Sequence, residues 1–187
     1  MTGIGGQGIQ LAAAVLARAA VLEGREVQVF GSYGGMMRGG ATESTVVVAD
    51  DPIEAPPTAG STWSALLMHH EHAEPVLARL RADGVVLVNT SVVAPGSVPA
   101  VCAVVEVRAG DIAGSVGGGM VASMVLLGAY AAVTGMVGMD ALSAAVRASL
   151  PPYRAQHAER NDLALRAGFD SVVPRTAPAW PDPAVVA

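Results

Sequence analysis

Three glycines near the start of the chain have the spacing of the dinucleotide-binding fingerprint, in Gly3-Ile4-Gly5-Gly6-Gln7-Gly8 ahead of an apolar helix over Ile9–Glu23. Glycines let the backbone approach a ligand closely, and a helix N-terminus offers free N–H groups to an anion. The NAD version of this motif also needs an acid at the end of the second strand. That strand ends Val29-Phe30-Gly31-Ser32 without one, which disfavours NAD. Two interpretations stay open: an anion-binding loop, or a tight strand–helix turn with no ligand.

A second glycine cluster follows at Tyr33–Gly40 and contains one cation, Arg38. Gly39 and Gly40 remove side chains that would block a ligand, and a guanidinium pairs bidentately with phosphate or carboxylate. The alternative is an arginine paired with a structural acid such as Glu43; pairing with a carboxylate of a partner chain would count as a functional contact. We expect this loop and the first to lie at the same edge of an α/β sheet.

Other residue types that support catalysis are sparse. His69-His70-Glu71-His72 follows a predicted strand, but adjacent residues tend to point apart, so we predict no metal site and assign these residues to helix capping and a solvated rim. Cys102 is the single cysteine, which excludes a cluster held by this chain and predicts a buried, inert thiol. There is no lysine, so Schiff-base chemistry is excluded.

A third glycine run, Gly114-Ser115-Val116-Gly117-Gly118-Gly119, precedes an apolar helix. Successive glycines can form an anion-binding nest of backbone N–H groups. A flexible linker between two helices is the simpler interpretation, and the sequence favours it.

The order of the predicted elements indicates a single Rossmann-like α/β domain with a mostly parallel sheet covered by helices. Only Met1 and Thr2 precede the first loop, where such a sheet normally has its first strand, so it is open whether the native chain starts upstream. We place the domain at residues 1–170 and a proline-rich tail without pattern at residues 171–187. The predicted strands are 26–30, 42–50 with a buried Thr45–Val48 run, 62–68, 85–89 and 101–107. The predicted helices are 9–23, 72–82 ended by Asp83-Gly84, 109–116, 120–134, 141–150 and 153–167.

The composition is typical of a chain whose surface is largely covered by other protein subunits. Of its 187 residues, 52% are hydrophobic and only 14% are charged, which suggests that much of the surface is covered. The net charge is −5 and there is no basic run, so nucleic acid is not an expected partner. The uncharged stretch Ile112–Met139 is broken by glycines, so we predict a fully buried helix rather than a membrane span. No basic leader segment is visible, and we expect a cytoplasmic protein.

Taken together, these motifs resemble the gamma subunit or domain of 2-oxoacid:ferredoxin oxidoreductases, a group that includes the pyruvate, ketoisovalerate, 2-oxoglutarate and indolepyruvate enzymes. The similarity covers roughly residues 1 to 170. It is carried by Gly3–Gly8, Tyr33-Gly34, Arg38-Gly39-Gly40, Val88-Asn89-Thr90-Ser91, Met124–Ala129, and Asn161 with Ala164 and Gly168.

The resemblance implies a complex that oxidatively decarboxylates a 2-oxoacid to an acyl-CoA. Thiamine diphosphate, Mg and iron–sulfur clusters are then held by other subunits, namely alpha- and beta-type thiamine-binding chains and a ferredoxin-like chain. Coenzyme A lies at the interface, and the isolated chain is expected to be inactive. The gamma unit supplies no catalytic residue; the cofactor-binding positions matched by motif are Gly5, Gly6, Gln7, Gly8, Tyr33, Arg38, Gly39 and Gly40. The alternatives are a stand-alone nucleotide-binding module and a purely structural assembly subunit.

Overall fold

A computed structural model describes residues 1–33 (for Tyr33, the backbone), 40–54, 60–98 and 102–180. Its strands are β1 (Thr2–Ile4), β2 (Glu26–Tyr33), β3 (Ala41–Ala49), β4 (Thr62–Leu67), β5 (Leu80–Asn89) and β6 (Ala103–Val107). Its α-helices are α1 (Ile9–Leu22), α2 (Glu74–Leu77), α3 (Ala109–Val116), α4 (Ala122–Thr134), α5 (Met139–Ser149) and α6 (Ala158–Phe169). Two 3₁₀ turns, Gly119–Val121 and Pro152–His157, precede α4 and α6.

The six strands form one sheet in the order β2-β3-β1-β4-β5-β6. β1, β4, β5 and β6 are parallel, and β3 runs antiparallel to both β1 and β2. This confirms the predicted α/β fold with a mostly parallel sheet. The carboxyl ends of β1, β4, β5 and β6 share one edge, which is where α/β proteins bind their ligands.

The main core lies between the sheet and the helices on one face, and a smaller hydrophobic cluster that includes Leu67, Val86 and Val88 lies on the other. β5 is buried on both faces from Val85 to Asn89, as its unbroken apolar run predicts. All 13 residues of α4 are buried, which confirms the predicted fully buried helix. Within the described residues, no helix is both long and apolar enough to cross a membrane.

The predicted helix 72–82 is wrong beyond its first turn. The helix α2 ends at Leu77, and Asp83 and Gly84 lie inside β5 rather than after a helix. The sheet explains this, because Thr62 pairs with Leu80 and draws the chain into strand before a second helical turn forms. A Cβ on Gly84 would overlap the carbonyl oxygen of Trp63, so this glycine lets two strands pass at an irregularity in their register.

Two burial predictions also fail in part. The valine run of β3 is half-buried rather than buried, because one of its flanks faces an open cavity instead of a neighbouring strand. Cys102 is half-buried, and this partial burial raises the pKa of its thiol; its inert role stays a prediction.

The segment after Phe169 is packed onto the domain as far as it is described. The backbone N–H groups of Arg175, Ala177 and Ala179 donate to the last carbonyls of α4. Trp180 donates its indole N–H to Met136 O at 3.1 Å. These bonds satisfy carbonyl groups that the end of a helix leaves unpaired.

Candidate functional site at the carboxyl edge of the sheet

The first glycine loop has the left-handed backbone that its sequence suggested. Gly6 has φ +102° and Gly8, the N-cap of α1, has φ +78°. No described side chain caps α1, so the N–H groups of its first turn point out of the loop without a side-chain acceptor. This geometry suits a bound anion or polar group.

Gln7 is held by the sheet itself. Its Oε1 accepts from Ile4 N at 2.9 Å, and its Nε2 donates to Met68 O at 3.3 Å. The side chain therefore joins the end of β1 to the end of β4. A Cβ on Gly3 would lie 2.5 Å from Gln7 Oε1, so Gly3 makes room for this bridge. Gln7 supports the loop, and its assignment to cofactor binding stays a prediction.

The described ends of the two glycine loops meet. Gly5 N donates to Gly40 O at 2.8 Å, and Ile4 pairs with Ala41 just before it. The β2–β3 hairpin thus brings its turn to the first loop, at the carboxyl edge. The interior of the second loop, including Arg38 and Gly39, and the side chain of Tyr33 lie outside the described residues.

Glu43, the acid considered as a structural partner for Arg38, is paired elsewhere. Its carboxylate accepts from the guanidinium of Arg79, which reaches across from the segment after α2. The described part of the chain therefore gives Glu43 a structural cation from another element.

A basic cavity adjoins the first turn of α1, which follows the first loop. It has a volume of about 370 Å³ and lies between the Gly117–Gly119 run and the start of α6; its basic lining residues are Arg154, His157 and Arg160. Leu11 of the first turn of α1 lines it as well. The start of α4 approaches the first loop, because a Cβ on Gly8 would lie 2.7 Å from Ser123 Oγ. We refer to the cavity as the basic cavity.

Local sequence explains how the basic cavity forms. Arg154, His157 and Arg160 are three residues apart after the Pro151-Pro152 break, so a helical turn places them on one face. A Cβ on Gly117 would lie 2.7 Å from the Arg160 stem, so the glycine lets that side chain lie against the loop. No described carboxylate lies within ion-pairing distance of Arg154 or Arg160.

The sequence did not point to these three basic residues as a site. The sequence favoured a linker at Gly117–Gly119. In the structure Gly117 and Gly118 have the positive φ angles +147° and +108°, which favour glycine. The available signal was the spacing of the basic residues after two prolines. What the sequence lacked was any indication that this turn shares a cavity with Leu11 of α1, near the other end of the chain.

His69, His70 and Glu71 follow β4 at the same edge. The imidazole rings of His69 and His70 stack with their centroids 4.4 Å apart. Each of the three residues has one potential metal-ligand atom, a ring nitrogen or a carboxylate oxygen, and these atoms lie within 4.8 Å of one another. The expectation that neighbouring side chains point apart is therefore wrong for this trio. His70 and Glu71 are exposed, and that no metal binds here stays a prediction.

Asn89 and Ser91, which carry part of the family resemblance, hold backbone at this edge. Asn89 is buried, and its Oδ1 accepts from Ser91 N and Gly110 N, both at 3.3 Å. Ser91 Oγ accepts from Asp111 N at 3.1 Å. The two side chains therefore fasten the end of β5 to the start of α3.

The sheet order removes the basis for a dinucleotide site. In the dinucleotide fold, the strand next to β1 is parallel to it and ends in the acid that binds the ribose. Here β3 occupies that position and runs antiparallel, while β2 lies one strand further out. The glycine spacing near the start of the chain therefore serves a different arrangement.

Comparison with known proteins agrees with this arrangement. The family model described as pyruvate ferredoxin/flavodoxin oxidoreductase matches residues 1–171. The chain belongs to this family. The match confirms the resemblance that the two glycine loops indicated.

Individual relatives and solved structures extend the comparison. The chain is 32% identical to the 2-oxoglutarate synthase subunit KorC of Methanocaldococcus jannaschii, over 91% of this chain and 90% of that protein. It is 31% identical, with a TM-score of 0.74, to the crystal structure of a keto/oxoacid ferredoxin oxidoreductase gamma subunit from Geobacter sulfurreducens, over 91% of this chain and 94% of that one. The 2-oxoglutarate:ferredoxin oxidoreductase of Magnetococcus marinus, solved with 2-oxoglutarate, coenzyme A and succinyl-CoA bound, shares the fold, with a TM-score of 0.79 at 16% identity over 92% of this chain and 31% of that one.

The left-handed N-cap yields a first prediction. We expect Gly8→Ala to lower the free energy of unfolding by about 1–2 kcal/mol, since a side chain at φ +78° is strained and its Cβ meets Ser123 Oγ. Urea unfolding measures the loss. Gly6→Ala is the matched control, because it has the same kind of strain but meets nothing within 4 Å. Equal losses in the two variants would mean that the contact with Ser123 contributes nothing.

Proposed function

We propose that this chain is the gamma-type subunit of a cytoplasmic 2-oxoacid:ferredoxin oxidoreductase that depends on thiamine diphosphate. The complex oxidatively decarboxylates a 2-oxoacid and forms an acyl-CoA. In this proposal the carboxyl edge of the sheet, with its glycine loops and the basic cavity, forms one wall of the coenzyme A cleft. The observation that carries the proposal is the family match over residues 1–171.

The charge at this edge supports the coenzyme A part of the proposal. Coenzyme A is a phosphorylated nucleotide with a long uncharged arm. The guanidinium groups of Arg154 and Arg160 suit phosphate, and α1, which lines the same cavity at Leu11, adds N–H donors at its uncapped start. The glycine backbone leaves room for a ligand to lie flat against the loop. In this proposal the chain therefore binds and orients coenzyme A, and it carries out no bond-breaking step.

The donor set of the chain fits a division of labour among subunits. A four-cysteine cluster cannot form on a chain with one cysteine, and that cysteine is half-buried. We assign the iron–sulfur clusters to a ferredoxin-like chain, and thiamine diphosphate with Mg to alpha- and beta-type chains. Bound there, thiamine diphosphate supplies the carbanion chemistry of decarboxylation.

Reconstitution tests the proposal. We expect this chain to co-purify with thiamine-binding and cluster-binding chains, and the complex to reduce ferredoxin or a viologen dye only with both a 2-oxoacid and coenzyme A present. Comparing 2-oxoglutarate with pyruvate identifies the substrate. Purification without any thiamine- or cluster-binding chain would overturn the proposal.

Arg38 gives a prediction within the complex. We expect Arg38→Ala to raise KM for coenzyme A, or to lower turnover, by about 10-fold, because a single charge-assisted hydrogen bond at an exposed edge contributes about 1.5 kcal/mol. Steady-state kinetics of the reconstituted complex measure the change. Arg81→Ala is the control, since Arg81 is an exposed arginine paired with Asp83 at the opposite edge of the sheet. If Arg38→Ala leaves the kinetics as unchanged as the control does, Arg38 is not part of the site.

A purely structural role is the second candidate, and the apolar surface favours it. Val21, Leu22, Phe30, Met120 and Tyr153 are large side chains that are at least half exposed. Such residues suit contact with other subunits. In this case the edge of the sheet packs against partners, and neither Arg38 nor the basic cavity affects coenzyme A kinetics.

A further inference from the structure

One edge of the sheet is formed by a long strand that has no neighbour on its outer side among the described residues. β2 is the terminal strand of the sheet, and it pairs with β3 in unbroken register over all eight of its residues. It contains no lysine, arginine or proline, residue types that protect such edges. The opposite edge differs, since β6 has five residues and includes the charged Glu106. The outer edge of β2 is therefore open to a further strand.

The free backbone groups of this edge follow from the pairing of β3. Ser44 exchanges hydrogen bonds with Met1 on the β1 side of β3. Gly31 lies opposite Ser44, so its N–H and C=O groups point away from β3. Because the direction alternates along a strand, the backbone groups of Val27 and Val29 point outwards as well. Each of these three residues thus offers one donor and one acceptor to a further strand.

Apolar side chains flank this edge on both faces of the sheet. Val29 and Phe30 are neighbours in β2 and therefore point to opposite faces, and they are 47% and 50% exposed. A strand added to the edge would cover both side chains and would pair the free backbone groups at the same time.

The helix α1 extends this surface on the face of Val29. Its Gln10 lies against Gly31, so this side of the helix faces the edge of β2. Ala14 and Val21 follow Gln10 at helical spacing on that side, and both are exposed. From Gly31 back to Val29 the strand covers about 7 Å, the length of four to five residues of helix, so Ala14 lies near the level of Val29.

We propose that the outer edge of β2 and the adjacent side of α1 bind a second copy of this chain about a twofold axis at Val29. Antiparallel pairing about this axis sets Val29 opposite Val29 of the partner subunit and Val27 opposite Gly31 of the partner subunit. Each pair joins outward-pointing groups, which gives about six hydrogen bonds in all. The two sheets become one, and the two α1 helices approach each other at the small side chain of Ala14. The proposal is independent of the function proposed above.

Charge and symmetry select a second copy as the occupant. The outward-pointing groups are arranged symmetrically about Val29, and the single charged side chain of β2, Glu26, lies at one end of the strand. Antiparallel copies keep their Glu26 carboxylates about six residues, or roughly 20 Å, apart, whereas parallel copies would place them side by side. A stable interface buries about 800 Å² per partner, more than one strand edge supplies, and the exposed side of α1 adds to the contact.

Sedimentation of the purified full chain tests the proposal. We expect a dimer that dissociates on dilution. Val29→Lys should weaken the dimer by about 30-fold, since two like charges then meet at the axis and lose hydration. Val92→Lys is the matched control, because Val92 is also exposed, at 42%, and lies in the turn after β5. This control should leave the dissociation constant unchanged, and circular dichroism checks that both variants are folded.

A cysteine at the axis gives a site-specific reading. In a Cys102→Ser background, Val29→Cys sets two thiols opposite each other. The Cα atoms of such a hydrogen-bonded pair are about 5.5 Å apart, which a disulfide can span. We expect mild oxidation to give a covalent dimer of Val29→Cys, whereas Val92→Cys in the same background should stay monomeric under denaturing conditions.

Hydrogen exchange at two chain concentrations provides an independent check. The amides of Val27, Val29 and Gly31 should exchange about 10-fold more slowly when the chain is dimeric than when it is dilute. Those of Gln28 and Phe30 bond to β3 and serve as internal controls that should not change.

The outcomes that overturn the proposal are distinct. A chain that is monomeric at every concentration has no such interface, and a dimer that Val29→Lys leaves intact uses another surface. A chain that is monomeric alone but protected at these three amides in the reconstituted complex would show that a strand of a different subunit occupies the edge, which would also overturn it.

Discussion

Gly168→Ala is expected to lower the free energy of unfolding by about 3 kcal/mol or more, the largest single-residue effect on stability predicted for this chain. Gly168 of α6 lies against the backbone of α4, and an added Cβ would overlap the carbonyl oxygen of Val125. Gly128 of α4 makes the reciprocal approach to Leu165 O. Backbone atoms on rigid helices cannot step aside, so the two helices must separate, and overpacking of this kind costs about 1–3 kcal/mol or more.

The matched control variant for this prediction is expected to change the stability in the opposite direction. Gly114 lies in α3 and is exposed, and an added Cβ there would meet nothing within 4 Å. Gly114→Ala should raise stability by about 0.5–1 kcal/mol through helix propensity. Urea unfolding of both variants gives the comparison. A Gly168→Ala variant as stable as Gly114→Ala would contradict the close approach of α4 and α6.

This helix pair also positions the candidate site. α4 carries Ser123, which lies against Gly8, and α6 carries Arg160 and Asn161, which line the basic cavity. A shift between the two helices would therefore move the cavity relative to the first loop. Stability and site geometry depend on the same two glycines.

The helices around the core were predictable because their apolar sequences are consistent with a buried environment. α1 and α4 read as apolar helices bounded by glycines, and the structure places both in the core. The segment 72–82 was not predictable in the same way. Its local pattern favours a helix, but the pairing of Thr62 with Leu80 takes the chain into β5. Tertiary pairing overrides weak local propensity there.

The two halves of the candidate site differ in the same respect. The glycine loops were visible in the sequence because their spacing is local, whereas the contact of Gly5 with Gly40 depends on the antiparallel pairing of β1 with β3. The basic cavity unites α1, the Gly117–Gly119 run and the turn before α6, which are far apart in the chain. No local pattern reports that proximity, so only the fold shows it.

The basic cavity carries the largest functional effect that we predict. We expect the double variant Arg154→Gln/Arg160→Gln, in the reconstituted complex, to raise KM for coenzyme A by about 50–100-fold. Each guanidinium is exposed in the chain alone, and each is assigned one phosphate contact of about 1–1.5 kcal/mol. Turnover at saturating coenzyme A should hardly change, because these contacts are the same in the ground state and the transition state.

Salt dependence and a control variant make the test specific. KM of the parent complex should rise with ionic strength, since screening weakens exposed charges, and KM of the double variant should rise less. Arg81→Gln removes an arginine at the opposite edge and should change neither value. An unchanged KM in the double variant would place the basic cavity outside the coenzyme A cleft. The exposed apolar residues Met120 and Tyr153 near this cavity would then identify it as a contact with another subunit.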